Sequence, residues 1–226
     1  MLQFTRHSKA GSQPVAYAST QLVIAGWAAR DEAAVKHHIE ELAEIGVPPP
    51  SSVPLFYRTA ASLLTQSERM EVLGPDSSGE VEPVIVSMDD GLWLTIGSDH
   101  TDRKAEAQGV ALSKQLCGKP VGRDLWRLDE VAAHWDELQM RSFAAIDGRR
   151  QLYQEGKLAA LRPPMDLIQR YVQSRDLTPG IVMFCGTLGA IGGVRPSANF
   201  EMELIDPVLE RSIRHVYDIV PLPVVA

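Results

Sequence analysis

The chain has 226 residues, 45% hydrophobic and 23% charged, an ordinary globular balance that excludes disordered, collagen-like and coiled-coil classes. Its formal net charge of −7 leaves no basic footprint for nucleic acid or an anionic membrane. Two widely separated cysteines, Cys117 and Cys185, argue against a disulfide framework, and no run approaches the roughly eighteen apolar residues of a spanning helix. The expectation is a soluble, cytoplasmic protein.

In chain order, the first strongly periodic segment is Asp31 to Ile45, DEAAVKHHIEELAEI. Val35, Ile39 and Leu42 fall at helical spacing, Asp31 is placed to cap, and Gly46 with Pro48-Pro49-Pro50 ends the helix. The stretch VPPPSSVP then forces an extended connection into PLFYRTAASLL. From Glu71 the pattern turns to strands: EVLGPD, GEVEPVIVSM, GLWLTIGSD, GIVMFCGT and NFEMELID are short apolar or alternating runs bounded by Gly, Pro, Asp and Asn. Asp89-Asp90-Gly91 reads as the turn of a hairpin between two of them. Helical patches fall at 103–115 and 164–173. Many strands with few helices predict a β-rich α+β fold. The tail VYDIVPLPVVA is strongly apolar for a chain end, and either packs on its own sheet or forms part of a dimer interface.

Glu80 and Glu82 flank Val81 in GEVEPVIV, so on a strand both carboxylates project from the same face. Like charges side by side repel unless a cation lies between them. An isolated pair of this kind suits a solvated strand edge; with a third oxygen ligand it suits Mg²⁺ or Mn²⁺. Asp99, at the end of GLWLTIGSD, is brought near if the Asp89-Asp90-Gly91 turn returns that strand beside the first. His38 and Glu41 lie three residues apart on the first helix and meet on one face, as an acid/base pair or as a surface pair; His37 competes for Glu41. Lys114 and Arg58 are single cations beside apolar residues. Thr187 ends a strand at a glycine, where its hydroxyl and the neighbouring N–H groups suit a carboxylate or an ordinary turn.

The order of these features resembles the fumarylacetoacetate hydrolase superfamily. HHIEELAEIGVPPPSSVPLFYRTAASLL is similar to its opening helix and proline-rich link, GEVEPVIV to its ExE metal strand, and SDHTDR to its ND-x-x-x-R segment. SKQLCGKPVGRDLW is similar to its lysine stretch, IDGRRQLYQEG to its NGExxQ-G hairpin, and DLIQRYVQSRDLTPGIVMFCGTLGAIG to its closing TGTP region. The resemblance departs at Arg58 for Lys, Ser98 for Asn, Asp147 for Asn and Leu188 for Pro, and the Glu82–Asp99 interval is too short for a helix between the strands.

It implies one superfamily domain over residues 1–226, with 1–27 divergent, folded as a mixed β-sandwich roll. It implies Mg²⁺ or Mn²⁺ on Glu80, Glu82 and Asp99, with His38 and Glu41 as acid/base pair and Lys114 as catalytic cation. Arg58 and Thr187 would bind the substrate, a small oxo acid. The implied chemistry is hydrolysis of a C–C bond in a 2-oxo or 1,3-dicarbonyl acid, or hydration, decarboxylation or tautomerisation on the same scaffold, in a homodimer. A non-catalytic metal- or ligand-binding protein is the remaining reading.

Overall fold

The computed structural model describes residues 1–44 and 49–225, without the side chains of Ala34, His38 and residues 41–44. Strands in chain order are β1 (Leu2–Ser8), β2 (Gly11–Tyr17), β3 (Gln21–Gly26), β4 (Leu55–Thr59), β5 (Arg69–Leu73), β6 (Val81–Met88) and β7 (Gly91–Ser98). They continue as β8 (Asp124–Arg127), β9 (Gln139–Ile146), β10 (Arg149–Lys157), β11 (Ile181–Phe184), β12 (Asn199–Asp206) and β13 (Arg211–Leu222). The helices used below are α1 (Glu32–Glu44), α2 (Arg103–Glu106), α3 (Val110–Gln115) and α4 (Pro164–Val172).

Eight strands form one mixed sheet in the order β2-β1-β8-β7-β6-β11-β3-β4, and five form a second in the order β10-β9-β12-β13-β5. The larger core lies between the sheets, where Ile85, Leu94 and Met183 meet Met140, Phe200, Met202, Leu204 and Tyr217. A second core covers the outer face of the first sheet with Phe4, Leu22, Ile24, Val84, Val86, Trp93 and Phe184. Strand β6 is therefore buried on both faces along its whole length, which is why VEPVIVSM reads as a nearly unbroken apolar run. The expected α+β, β-rich sandwich architecture is the one found.

The hairpin β6–β7 forms as expected, with Met88 paired to Gly91 and Gly91 at a positive φ of 125°. Asp31 caps α1, accepting from the Ala33 N–H at 3.0 Å. The patch at 103–115 divides at Gly109 into α2 and α3. Residues 1–26 supply three strands of the large sheet, so this segment is structural even though it carries none of the quoted motifs. The apolar tail is mostly strand β13, paired with β12 and β5 of the same chain, with Tyr217 and Ile219 buried; Leu222, Val224 and Val225 remain exposed.

Gly97 illustrates how tightly the hairpin is fitted. It lies opposite Glu82 in the β6–β7 register, and a Cβ there would come within 2.7 Å of Phe184 and 2.8 Å of Val84. Both neighbours belong to the buried outer core, so neither can move freely. Gly97→Ala should cost about 1–3 kcal/mol through overpacking, lowering Tm by roughly 2–12 °C in thermal denaturation. An unchanged Tm would show that the core beside Glu82 is looser than described.

Candidate metal centre

The centre is built on the open end of the β6–β7 hairpin. Val81 pairs with Ser98 and Glu82 with Gly97, and the Asp99 N–H donates to Glu80 O at 3.0 Å, so the two strands carry their carboxylates to one place. Pro83 offers no N–H, and regular pairing of β6 with β11 ends at Val84–Phe184. Beyond that point the Cys185 N–H donates to Pro83 O, and the Gly186 N–H turns to Glu82 Oε2 at 2.7 Å. One oxygen from each of Glu80, Glu82 and Asp99 lies within 4.8 Å of the other two. Glu82 and Asp99 are buried and Glu80 is half-buried.

Three cations answer these charges. Lys114 Nζ contacts Asp99 Oδ2 and stands 3.9 Å from Glu80; Lys119 Nζ lies 3.1 Å from Asp99 Oδ1; Arg103 donates to Glu80 at 2.8 Å. Burial would raise the Asp99 pKa, but Lys114 and Lys119 outweigh it and hold the group below the usual carboxylate range. Glu82 has no such partner. Burial first, then the charges of Asp99 and Glu80, push it well above the usual range, and Lys114 and the Gly186 N–H offset this only in part. Lys114 keeps its proton, because Asp99 and Glu80 more than compensate for burial.

The arrangement fits a divalent cation. All three donors are carboxylate oxygens, the set hard ions prefer. Asp99 Oδ1 is buried without a hydrogen bond, its contact with Lys119 being an ion pair outside hydrogen-bond geometry. A cation among the three groups would also offset the repulsion that raises the Glu82 pKa.

A buried polar chain fixes the two strand ends. Ser77 Oγ and Tyr217 Oη each lie 2.9 Å from a ring nitrogen of His100, Tyr217 donates to Ser98 Oγ at 2.9 Å, and Ser98 accepts from the Glu80 N–H at 3.2 Å. With the tyrosine proton given to Ser98, His100 carries hydrogen on Nδ1 and accepts from Ser77 at Nε2. Burial, aided by Lys119 and Arg103, pushes the His100 pKa down to about 3, so the ring is neutral and serves as a structural link.

Glu80 and Glu82 line a cavity of about 710 Å³, bounded by the end of β3, α1, α2, α3 and the loop after β11, with Asp99 buried behind them. Lys114 projects into it from α3, 5.7 Å from the centre of the Tyr57 ring. Thr187 borders it, but its hydroxyl donates to Val81 O at 2.8 Å and accepts from Gln154 at 2.8 Å. The hydroxyl proton is thus committed to holding the loop. Arg58 is not brought to the cavity: it is exposed and donates to Tyr171 Oη at 3.4 Å, whereas its neighbour Tyr57 lines the cavity. Adjacent residues of β4 face opposite ways, so Tyr57 and Arg58 cannot both face the cavity. The expected His38–Glu41 pair lies outside the described residues; Val35 on the same helix lines the cavity.

Sequence reasoning missed Lys119, Arg103 and Gln154. Lys119 is fully buried and also donates to His100 O; its only sequence signal is a lysine between Gly118 and Pro120 in apolar surroundings. Arg103 spans Ser78, Glu80 and Glu106. Gln154 joins Val81, Ser142, Thr187 and Leu188 across the two sheets.

The chain belongs to the family described as protein of unknown function DUF2848, whose profile matches residues 25–217. No curated protein matches the sequence. Its fold is that of the fumarylacetoacetate hydrolase family. A yeast fumarylacetoacetate hydrolase family protein superposes with a TM-score of 0.64 at 16% identity, over 92% of this chain and 95% of that one. A 5-carboxymethyl-2-hydroxymuconate delta-isomerase from Mycobacterium smegmatis gives 0.65 at 14%, over 98% and 99%. A 2-keto-3-deoxy-D-arabinonate dehydratase complexed with magnesium and 2,5-dioxopentanoate gives 0.65 at 15%, over 96% and 79%.

The raised Glu82 pKa gives metal binding a definite pH dependence. Protons compete with a cation for Glu82 more strongly than for an ordinary carboxylate, so affinity falls as pH falls. Calorimetry with Mg²⁺ from about pH 8 to about pH 6 should show weakening affinity with proton release. Glu82→Gln should lose about 100-fold or more in affinity, together with that proton release. Unchanged affinity in the variant would remove Glu82 from the site.

Proposed function

We propose that this chain is a divalent-metal enzyme that hydrolyses a C–C bond in a 2-oxo or 1,3-dicarbonyl acid. The observation that carries the reading is the convergence of Glu80, Glu82 and Asp99 at the edge of a cavity that Glu80, Glu82 and the Lys114 side chain line. Glu80, Glu82 and Asp99 would hold Mg²⁺ or Mn²⁺, whose chemistry when bound is Lewis-acid polarisation of the substrate's oxo oxygens. The magnesium and dioxo acid in the dehydratase of the same fold support the same ligand chemistry here.

The remaining roles fall to the chain's own side chains. Lys114, kept protonated beside Asp99 and Glu80, supplies a fixed positive charge where negative charge develops on substrate oxygen. His38, oriented by Glu41, takes a proton from water, and the resulting hydroxide adds to the distal carbonyl carbon. The C–C bond then breaks, its electron pair passes into the 2-oxo group, and the same histidine returns the proton to carbon. Thr187 and Gln154 hold the loop that borders the substrate and Arg103 holds Glu80, so these are positioning residues.

The enzyme is proposed to work as a cytoplasmic homodimer. The two free, buried thiols Cys117 and Cys185 suit a reducing compartment, and the exposed Leu222, Val224 and Val225 suit an apolar contact. Among the described residues no helix is long and apolar enough to cross a membrane.

Mg²⁺-loaded protein should convert an acylpyruvate into pyruvate and the matching carboxylic acid, which product analysis distinguishes from hydration, decarboxylation or tautomerisation. Lys114→Met should lower kcat by roughly 10²–10³-fold. Turnover giving only hydrated or decarboxylated products would overturn C–C hydrolysis, and a Lys114→Met variant with normal kcat would overturn the lysine's role. Sedimentation equilibrium should give twice 24.8 kDa; the monomer mass at micromolar concentration would reject the dimer.

A further inference from the structure

A second set of reactive side chains lies at the β2 edge of the large sheet, among residues that neither hold the metal centre nor line its cavity. Strands β2, β1 and β8 are neighbours there in that order. His7 of β1 lies directly opposite Ser12 of β2 in the antiparallel register. On its other side β1 runs parallel to β8, with Thr5 beside Asp124 and His7 beside Trp126. Thr5 and His7 point to one face, as do Asp124 and Trp126, so Asp124, His7 and Ser12 meet in a row across the three strands.

The row is hydrogen-bonded throughout. His7 Nε2 is 2.7 Å from Asp124 Oδ1, and His7 Nδ1 is 2.8 Å from Ser12 Oγ. An ionised carboxylate only accepts, so in the neutral ring the hydrogen sits on Nε2 and Nδ1 keeps its lone pair. The Ser12 hydroxyl then donates to Nδ1. This division of labour makes a serine nucleophilic: a base takes the hydroxyl proton, and a carboxylate orients the base and stabilises its cation. The hairpin that carries Ser12 is fixed at its turn, where the Lys9 N–H donates to Glu130 Oε1 at 2.7 Å and Gly11 takes a φ of +117°. Ser12 is exposed, and His7 and Asp124 are half-buried, so an acyl donor reaches the hydroxyl without any opening of the fold.

We propose that Ser12 is a second, metal-independent reactive site, which takes an acyl group from a small activated ester or thioester. Ser12 Oγ attacks the carbonyl carbon while its proton passes to His7 Nδ1. The bond from that carbon to the leaving oxygen or sulfur then breaks. The leaving group takes the electron pair and the proton from His7, and an acyl-serine remains. Water reverses the modification by the same route: its oxygen adds to the acyl carbon, one of its protons passes to His7, and Ser12 leaves with that proton. The open position leaves the tetrahedral oxyanion to solvent, so deacylation is slow and the acyl-serine accumulates.

The test uses the full chain in EDTA, which withholds divalent ions, with p-nitrophenyl acetate as acyl donor. Stopped-flow absorbance should show a burst of about one p-nitrophenolate per chain, and peptide mass spectrometry should find the acetyl group on Ser12. Ser12→Ala, at an exposed position, should abolish the burst and leave Tm unchanged. His7→Gln should slow acylation by roughly 100-fold or more. Absence of a burst, a burst that survives Ser12→Ala, or acetyl groups on Lys9 and other lysines but not on Ser12 would overturn the proposal. An unchanged rate in His7→Gln would overturn it as well, since Ser12 would then react as an ordinary surface hydroxyl.

Discussion

Three carboxylates held within 4.8 Å of one another, two of them buried, form the constraint around which the molecule is organised. Burial and mutual repulsion both disfavour ionising such a group, and the surroundings of each carboxylate answer that cost differently. Asp99 is paired with Lys114 and Lys119 and Glu80 with Arg103, whereas Glu82 has its pKa pushed up by burial and by its two carboxylate neighbours. Proteins seldom retain such a cluster for stability, since apolar replacements of similar volume are often no worse. Its persistence inside a cavity points to ligand chemistry.

The two sheets supply the rigidity the cluster needs. Strand β6 lies deep in the large sheet with side chains packed on both faces, so Glu82 cannot relax outward without disturbing Val84 and Phe184. The second sheet reaches the same place through Tyr217 and Gln154, whose polar atoms cross the interface to Ser98 and His100 and to Val81 and Thr187. The metal-facing strand ends, the loop after β11 and the inter-sheet core are thus one connected structure. The wall opposite is formed by α1 and α3, short elements joined to the sheets through loops, where entry and specificity are more readily varied.

What could be read in the sequence was local. Alternation in GEVEPVIV puts two glutamates on one face, and Asp89-Asp90-Gly91 folds Asp99 back to them; both need only the two-residue period of a strand and the demands of a tight turn. Choosing between Tyr57 and Arg58 requires knowing which face of β4 meets the cavity, and Tyr57 lines it. Lys119 reaches His100 and Gln154 reaches Val81 across nineteen and seventy-three residues, through contacts that no spacing rule encodes. In β1 and β2, LQFTRHS and GSQPVAY mix polar and apolar residues near the sheet's edge, where partial exposure blurs the pattern. Thr187 was found at the right place, but its hydroxyl is occupied by the backbone, which sequence does not show.

The central claim is that Glu80, Glu82 and Asp99 bind one cation together. Anomalous diffraction from crystals soaked in Mn²⁺ tests it most directly, because manganese scatters distinctly and substitutes for magnesium at oxygen sites. The account predicts one strong peak with an oxygen of each of the three side chains at about 2.0–2.2 Å. A peak elsewhere in the chain with these carboxylates still paired to Lys114, Lys119 and Arg103, or no peak at millimolar Mn²⁺, would contradict it.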